Sequence, residues 1–273
     1  MISAVAVSSI ALTYLTADWN VFNSTNLATA GNLQANWNDI TSQIGANYAT
    51  AINSCISELT ALKSSSSIAY YVNVASGSDT NNGTSAGAAF ASIQTAINKL
   101  PQMLNHSATI YCATGNYNEA ILMYGFVGSG QIWLQGGSSL VSATGYNTER
   151  VAAKQNGILV NVAGLNATST AFSGFGNVNS RKVNFLYCSV LTTGSVDGFT
   201  GEGGNTEVSG CDVSNRTFGI LATKGGIIFS SNNTGTSNTY GLYARYAGKI
   251  GINGTYPAGT TTSLATAGGQ IVT

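Results

Sequence analysis

The C-terminal half of the chain repeats itself at a drifting period of about 22 residues, and few folds accommodate that. Val183-Asn-Phe-Leu-Tyr-Cys-Ser-Val corresponds to Thr206-Glu-Val-Ser-Gly-Cys-Asp-Val, which sets Cys188 and Cys211 at equivalent places in successive units. Gly198-Phe199, Gly219-Ile220 and Gly241-Leu242 recur at nearly the same step. Gly203-Gly204 and Gly225-Gly226 keep it too, and a β-rich run follows each, at Thr206 and Ile227; Gly248 leads into another at Ile250. A unit this short cannot bury an apolar face alone, so units must stack and share one core. No unit holds an apolar stripe long enough for a helix. Ile227-Ile-Phe and Lys249-Ile-Gly-Ile are β-branched and alternating. The expectation is a mainly β solenoid of about 22 residues per coil, with recurring glycines at corners that need positive φ. Cys188 and Cys211 then sit one above the other in the core as small hydrophobes, with Ser189 as the outward neighbour of Cys188.

Charge supports stacking. Only 7% of residues are Asp, Glu, Lys or Arg, against roughly 25% in ordinary soluble domains. Charges repeated on adjacent rungs would repel, whereas Asn, Ser, Thr and the 33 glycines do not. Ten basic and ten acidic residues cancel, which leaves no electrostatic footprint for nucleic acid or anionic membrane. Cys55, Cys112, Cys188 and Cys211 form no CxxC pair, so neither a zinc site nor a disulfide framework is implied. Gly128-Ser-Gly and Gly136-Gly read as turns, and no phosphate-cradling motif is present. No metal, cofactor or membrane insertion is expected. Met1–Leu15 is apolar but lacks the basic residues of a secretion signal, and no run reaches the roughly 20 apolar residues of a membrane span.

The first third reads as helix. After the N-cap candidates Asn23 and Ser24, apolar residues fall at Leu27, Ala30, Leu33, Trp37, Ile40 and Ile44, and less strictly at Tyr48, Ile52, Cys55 or Ile56, Leu59 and Leu62. No second helix stands beside it in sequence to cover this stripe, so Leu33, Trp37, Ile40 and Ile44 are expected to form a self-associating face, a trimeric stalk. Ser64–Ser67 reads as a linker, which divides the chain into a helical attachment segment, 1–67, and a β domain, 68–273. One further helix is expected near 92–104, capped by Ser92, with Phe90, Ile93, Ile97, Leu100 and Leu104 as its apolar face. Strands are expected at Thr109–Cys112, Ala120–Tyr124 and Gln131–Leu134, with Phe126 and Trp133 in the core.

Tyr70-Tyr-Val-Asn-Val-Ala-Ser-Gly-Ser-Asp-Thr-Asn-Asn-Gly-Thr-Ser, then Phe90-Ala-Ser-Ile-Gln-Thr-Ala-Ile, resembles the start of pectate-lyase-like right-handed parallel β-helices. There a strand, a Gly-Ser-Asp loop and a short helix close the end of the solenoid. Thr109-Ile-Tyr-Cys-Ala-Thr-Gly-Asn-Tyr-Asn-Glu is similar to the first full coil of that family, with its Gly-x-Tyr turn. The version here resembles the fibres, spikes and appendages of tailed bacteriophages, and Trp19-Asn-Val-Phe-Asn-Ser-Thr-Asn-Leu is similar to their N-terminal segments. The resemblance implies a virion protein, homotrimeric, held to other virion proteins by its N-terminal segment and adhering to a host-surface glycan.

Two alternatives stay open. A polysaccharide depolymerase needs paired carboxylates, for which Asp197, Glu202, Glu207 and Asp212 are the candidates; they read otherwise as solvated loop acids. A bacterial surface adhesin needs an export signal. His106, the one histidine, reads as a loop residue. Tyr240, Tyr243, Arg245, Tyr246 and Tyr256 are the candidates for stacking on sugar rings, with packing of the last coils as the plainer role.

Overall fold

The computed structural model describes residues 30–61, 63–136 and 143–273; Met1–Leu15 and the expected caps Asn23 and Ser24 lie outside them. The chain divides into two units after Ala61. In the first, helix α1 (Ala30–Ala61) runs for 32 residues, and Gly45 does not interrupt it.

The second unit is an all-parallel β-solenoid of about seven turns, with about 23 residues between stacked strands. Three sheets form its walls. The first has nine strands, from Ile68–Val72 and Ser107–Cys112 through Lys182–Leu186, Asn205–Ser209, Ile227–Ser231 and Lys249–Asn253 to Gln270–Val272. The second has seven, including Arg150–Lys154, Phe175–Val178, Gly194–Glu202, Arg216–Thr223 and Asn238–Ala244. The third has five strands of two or three residues, among them Ser189–Val190 and Asp212–Val213.

The register follows the repeat. Val183 pairs with Thr206, Phe185 with Val208, and Val190 with Val213. Cys188 and Cys211 are both buried and free, and the Cys188 amide donates to Cys211 Sγ at 3.4 Å. Burial pushes the Cys211 thiol well above its ordinary value, and the neighbouring Cys188 pushes it further. Phe175, Phe185 and Phe199 meet at ring separations of 5.0–5.8 Å in the middle of the core.

Corners are built by backbone conformation as much as by glycine. One residue past each of five first-sheet strands, φ turns positive: Gly164 (63°), Tyr187 (53°), Gly210 (62°), Asn232 (51°) and Gly254 (78°). Glycine enters this region at no steric cost and asparagine at little. Tyr187 does so with its side chain exposed.

Asparagine also works inside. Asn233 is fully buried; its amide donates to Val208 O (2.8 Å) and Ser230 Oγ (2.9 Å), and its Oδ1 accepts from the Cys211 amide (2.8 Å). Asn156, Asn177 and Asn238 staple other corners in the same way. In the third sheet Asn116, Asn147, Asn166 and Ser189 form a rung-to-rung ladder. Asn233→Ala strands a buried donor and acceptor, at about 1–3 kcal/mol each. Its melting temperature should fall by roughly 4–24 °C, at about 2–4 °C per kcal/mol for a domain of this size. Exposed Asn253→Ala should change it by less than about 2 °C; equal shifts would overturn the staple.

At the other end, helix α2 (Ile93–Asn98) closes the solenoid. It is shorter than the expected 92–104, because Lys99 caps it and Pro101 has no amide hydrogen to continue it. Phe90, Ile93, Ile97, Leu100 and Leu104 are nonetheless all buried. Two carboxylates fasten its start: Asp79 accepts from the Ala91 and Ser92 amides and Ser92 Oγ, and Glu119 from the Ile93 and Gln94 amides, all at 2.8–2.9 Å. Burial alone would push Asp79 up, but the hydrogen bonds from Ser92, Thr95 and Ala91 outweigh it and hold the carboxyl below its ordinary value. Tyr117, of the Gly-x-Tyr turn, is buried and donates to Ala113 O at 2.6 Å.

Three expectations need correction. Trp133 is half-buried on the outer face, since Ile132 and Leu134 take the inward positions of its strand. Ser189, expected to point outward beside Cys188, is buried and bonded to Asn166. Ser64 is not free linker: it is buried, and its Oγ accepts from the Asn105 and His106 amides at 2.9 and 3.1 Å. His106 Nδ1 in turn lies 3.1 Å from Ser64 O.

Candidate functional site

The outer face of the second sheet gathers the distinctive side chains. Parallel register sets Phe218 beside Tyr240 and Leu221 beside Tyr243. The rings of Phe218, Tyr240 and Tyr243 lie 4.7–5.3 Å apart, pair by pair. Arg245, one residue past its strand, places its guanidinium 5.4–5.8 Å from the Phe218, Tyr243 and Tyr246 rings. Four of the five candidate sugar-stacking residues, Tyr240, Tyr243, Arg245 and Tyr246, are therefore brought together. Tyr256 is exposed and shares no ring contact with them among the described residues. Phe218 was missed by sequence reasoning, although it stands one repeat before Tyr240.

Beside this cluster runs a depression of about 320 Å³. Arg150, stacked 4.4 Å over the Phe172 ring, lines it with Phe172; Arg245 and Tyr246 also line it. Its floor follows one register row, Ala152, Gly176 and Thr200. Asp197 also lines it, and its Oδ2 accepts from Thr200 Oγ1 (2.8 Å) and Ser173 Oγ (3.1 Å). Burial pushes the Asp197 carboxyl above its ordinary value; those hydrogen bonds and the charges of Arg245 and Arg216 oppose this without cancelling it.

Arg216 supports the Phe172 loop from beneath. It is buried, and its Nη atoms donate to Ser169 O (2.8 Å), Thr192 O (3.3 Å) and Phe172 O (3.3 Å). Burial lowers its pKa, and Asp197 resists that shift. A Cβ at Gly194 would collide with the Arg216 guanidinium, which explains the glycine there.

The four candidate catalytic acids do not converge. Asp197 and Glu202 share one strand, five residues or about 16 Å of extended chain apart. Glu202 is bonded to Lys224 at 2.6 Å. Glu207 belongs to the first sheet, where Lys182 pairs with it at 3.5 Å. Asp212 belongs to the third, its carboxyl raised by burial and only partly offset by Ser214.

Of the assembly-helix candidates, Trp37 is 60% exposed, Ile44 38% exposed and Ile40 half-buried. The Leu33 side chain lies outside the described residues. Among the described residues no cluster of metal-ligating side chains forms, and no helix is long and apolar enough to cross a membrane. No protein-family model, curated protein or solved structure matches the chain.

Proposed function

We propose that this chain is a structural protein of a tailed-bacteriophage virion, a fibre, spike or appendage. On this reading it is a homotrimer, held to other virion proteins by its N-terminal segment and adhering to a host-surface glycan through the solenoid. The observation that carries it is the pairing of two features in one chain. One is a repetitive solenoid closed at one end by a helix. The other is a long helix whose described apolar side chains are not buried within the chain. A parallel solenoid is stiff because each coil is hydrogen-bonded to the next along its length, which suits an extended surface element. An uncovered apolar helix suits assembly.

The finer assignment, to the pectate-lyase-like right-handed β-helices, draws support from the Gly-Ser-Asp loop. Its Asp79 holds the start of the closing helix. The glycan role draws support from the stacked aromatic cluster with Arg245 at its centre. Antibody raised against residues 70–273 tests the location. Electron microscopy of intact phage particles carrying the protein should show label on a projecting element. Label absent from particles, and found instead on the bacterial surface, would sink the virion reading in favour of an adhesin.

A further inference from the structure

We infer that the groove on the second sheet binds an anionic polysaccharide strand, with Arg150 and Arg245 as the two groups that engage its acidic substituents. This rests on the glycan-adhesion reading and names the ligand class for it.

The first support is unspent donors. Among the described residues neither Arg150 nor Arg245 has a side-chain hydrogen bond or an ion pair, and Arg245 Nε is buried without a partner. Each is instead oriented by aromatic rings, Arg150 by Phe172 and Arg245 by Phe218, Tyr243 and Tyr246. A guanidinium stacked in this way keeps its planar fork of donors free for a carboxylate or phosphate. The other cation of the groove, Lys224, is already bonded to Glu202.

The second support is length. Following the register from Arg150 to Arg245 crosses four strand spacings, about 19 Å up the solenoid. A chain of several sugar units spans that backbone separation, and both arginines line the one depression it would follow. Exposed Phe172 and Tyr246 stand beside the two arginines as stacking surfaces.

The third is the floor. Gly176 has an ordinary negative φ, and a Cβ built on it would meet nothing within 4 Å. Neither backbone nor packing requires glycine there. Its consequence is an open channel between Ala152 and Thr200. The acids Asp197 and Glu202 argue against a nucleic-acid strand, whose phosphate on every unit would be repelled between the arginines. A glycan with sparser charge avoids them.

The full chain should be retained on immobilised acidic polymers and not on neutral dextran. Hyaluronan and alginate probe carboxylates, a glycerol-phosphate polymer probes phosphate, and poly-dT probes nucleic acid. Arg150→Gln and Arg245→Gln should each weaken retention on the preferred acidic polymer by about tenfold or more. Gly176→Phe should abolish it while the melting temperature holds. Equal binding to dextran, unchanged in all three variants, would overturn the groove and leave glycan adhesion standing. No retention on any polymer would overturn both. Preference for poly-dT, or a changed oligomeric mass in the variants without changed retention, would assign the groove to nucleic acid or to a subunit interface and reject the inference.

Discussion

Phe185→Asn should remove most of the soluble folded protein, while the same change at Phe229 leaves it intact. Both phenylalanines occupy the first sheet, two coils apart and one register position off, and they face opposite ways. Phe185 is fully buried between Phe175 and Phe199, and Phe229 is 47% exposed. Truncating a buried phenylalanine costs about 3–5 kcal/mol, and an amide without partners adds about 1–3 kcal/mol. At about 2–4 °C per kcal/mol the melting temperature should fall by roughly 8–32 °C. The damage should spread, since the coils on either side of Phe185 rely on it for their own inward faces. Thermal melts of the two variants decide this. Similar losses at both positions would mean that the inward and outward sets of this sheet are misassigned.

That register was legible in the sequence because it has a physical cause. Coils stack only where inward residues recur at the same place, so a steady repeat with Cys188 and Cys211 at matching points fixes which residues meet. Legibility failed where a corner replaces a strand. Ser189 follows Cys188 and by strict alternation should point outward. Tyr187 at φ 53° turns the chain first, and both Cys188 and Ser189 end up buried. Asparagine has a role that composition does not show: Asn233 and Asn177 satisfy corner amides and carbonyls from inside the coil. Trp133 shows the converse, a large aromatic on the outside because its strand neighbours already fill the core.

Half of the candidate site, the aromatic cluster with the groove beside it, could be read from sequence and half could not. Tyr240, Tyr243, Arg245 and Tyr246 are close in the chain, so their clustering needed no fold. Arg150, Phe172 and Asp197 join them only through the stacking of the coils between. Gly176 carried no sequence signal at all, being one of 33 glycines. The scattered acids illustrate the same limit. Glu202, Glu207 and Asp212 are close neighbours in sequence, yet the triangular coil deals them to three different sheets.

Removing residues 1–61 should convert a trimer into a monomer without unfolding the solenoid. The solenoid unit begins after Ala61, and Ser64, which fastens Asn105 and His106, stays with it. A cut at residue 65 or later would remove that clasp and confuse the outcome. Within the helix, Trp37, Ile40, Ile44, Tyr48, Ala51 and Cys55 are separated by steps of 3, 4, 4, 3 and 4. Those steps average about 3.6 residues, one α-helical turn, so the stripe keeps to one face of a nearly straight helix. Ile52 and Ile56 flank it, at 56% and 54% exposure, and widen the apolar face beyond what a two-stranded seam would cover. From Trp37 to Glu58 the only charges are Asp39 and Glu58 itself, so little electrostatic repulsion or pairing limits the number of strands. Light scattering should give three chain masses for the full protein and one for the truncated form. The truncated form's melting temperature should lie within about 3 °C of the full chain's, because its core is continuous without the helix. Binding to cells should drop far more than either measurement suggests, since three linked sites gain about 10²–10⁴ in avidity over one. A full-length monomer would end the stalk reading, and a truncated trimer would move the assembly surface onto the solenoid.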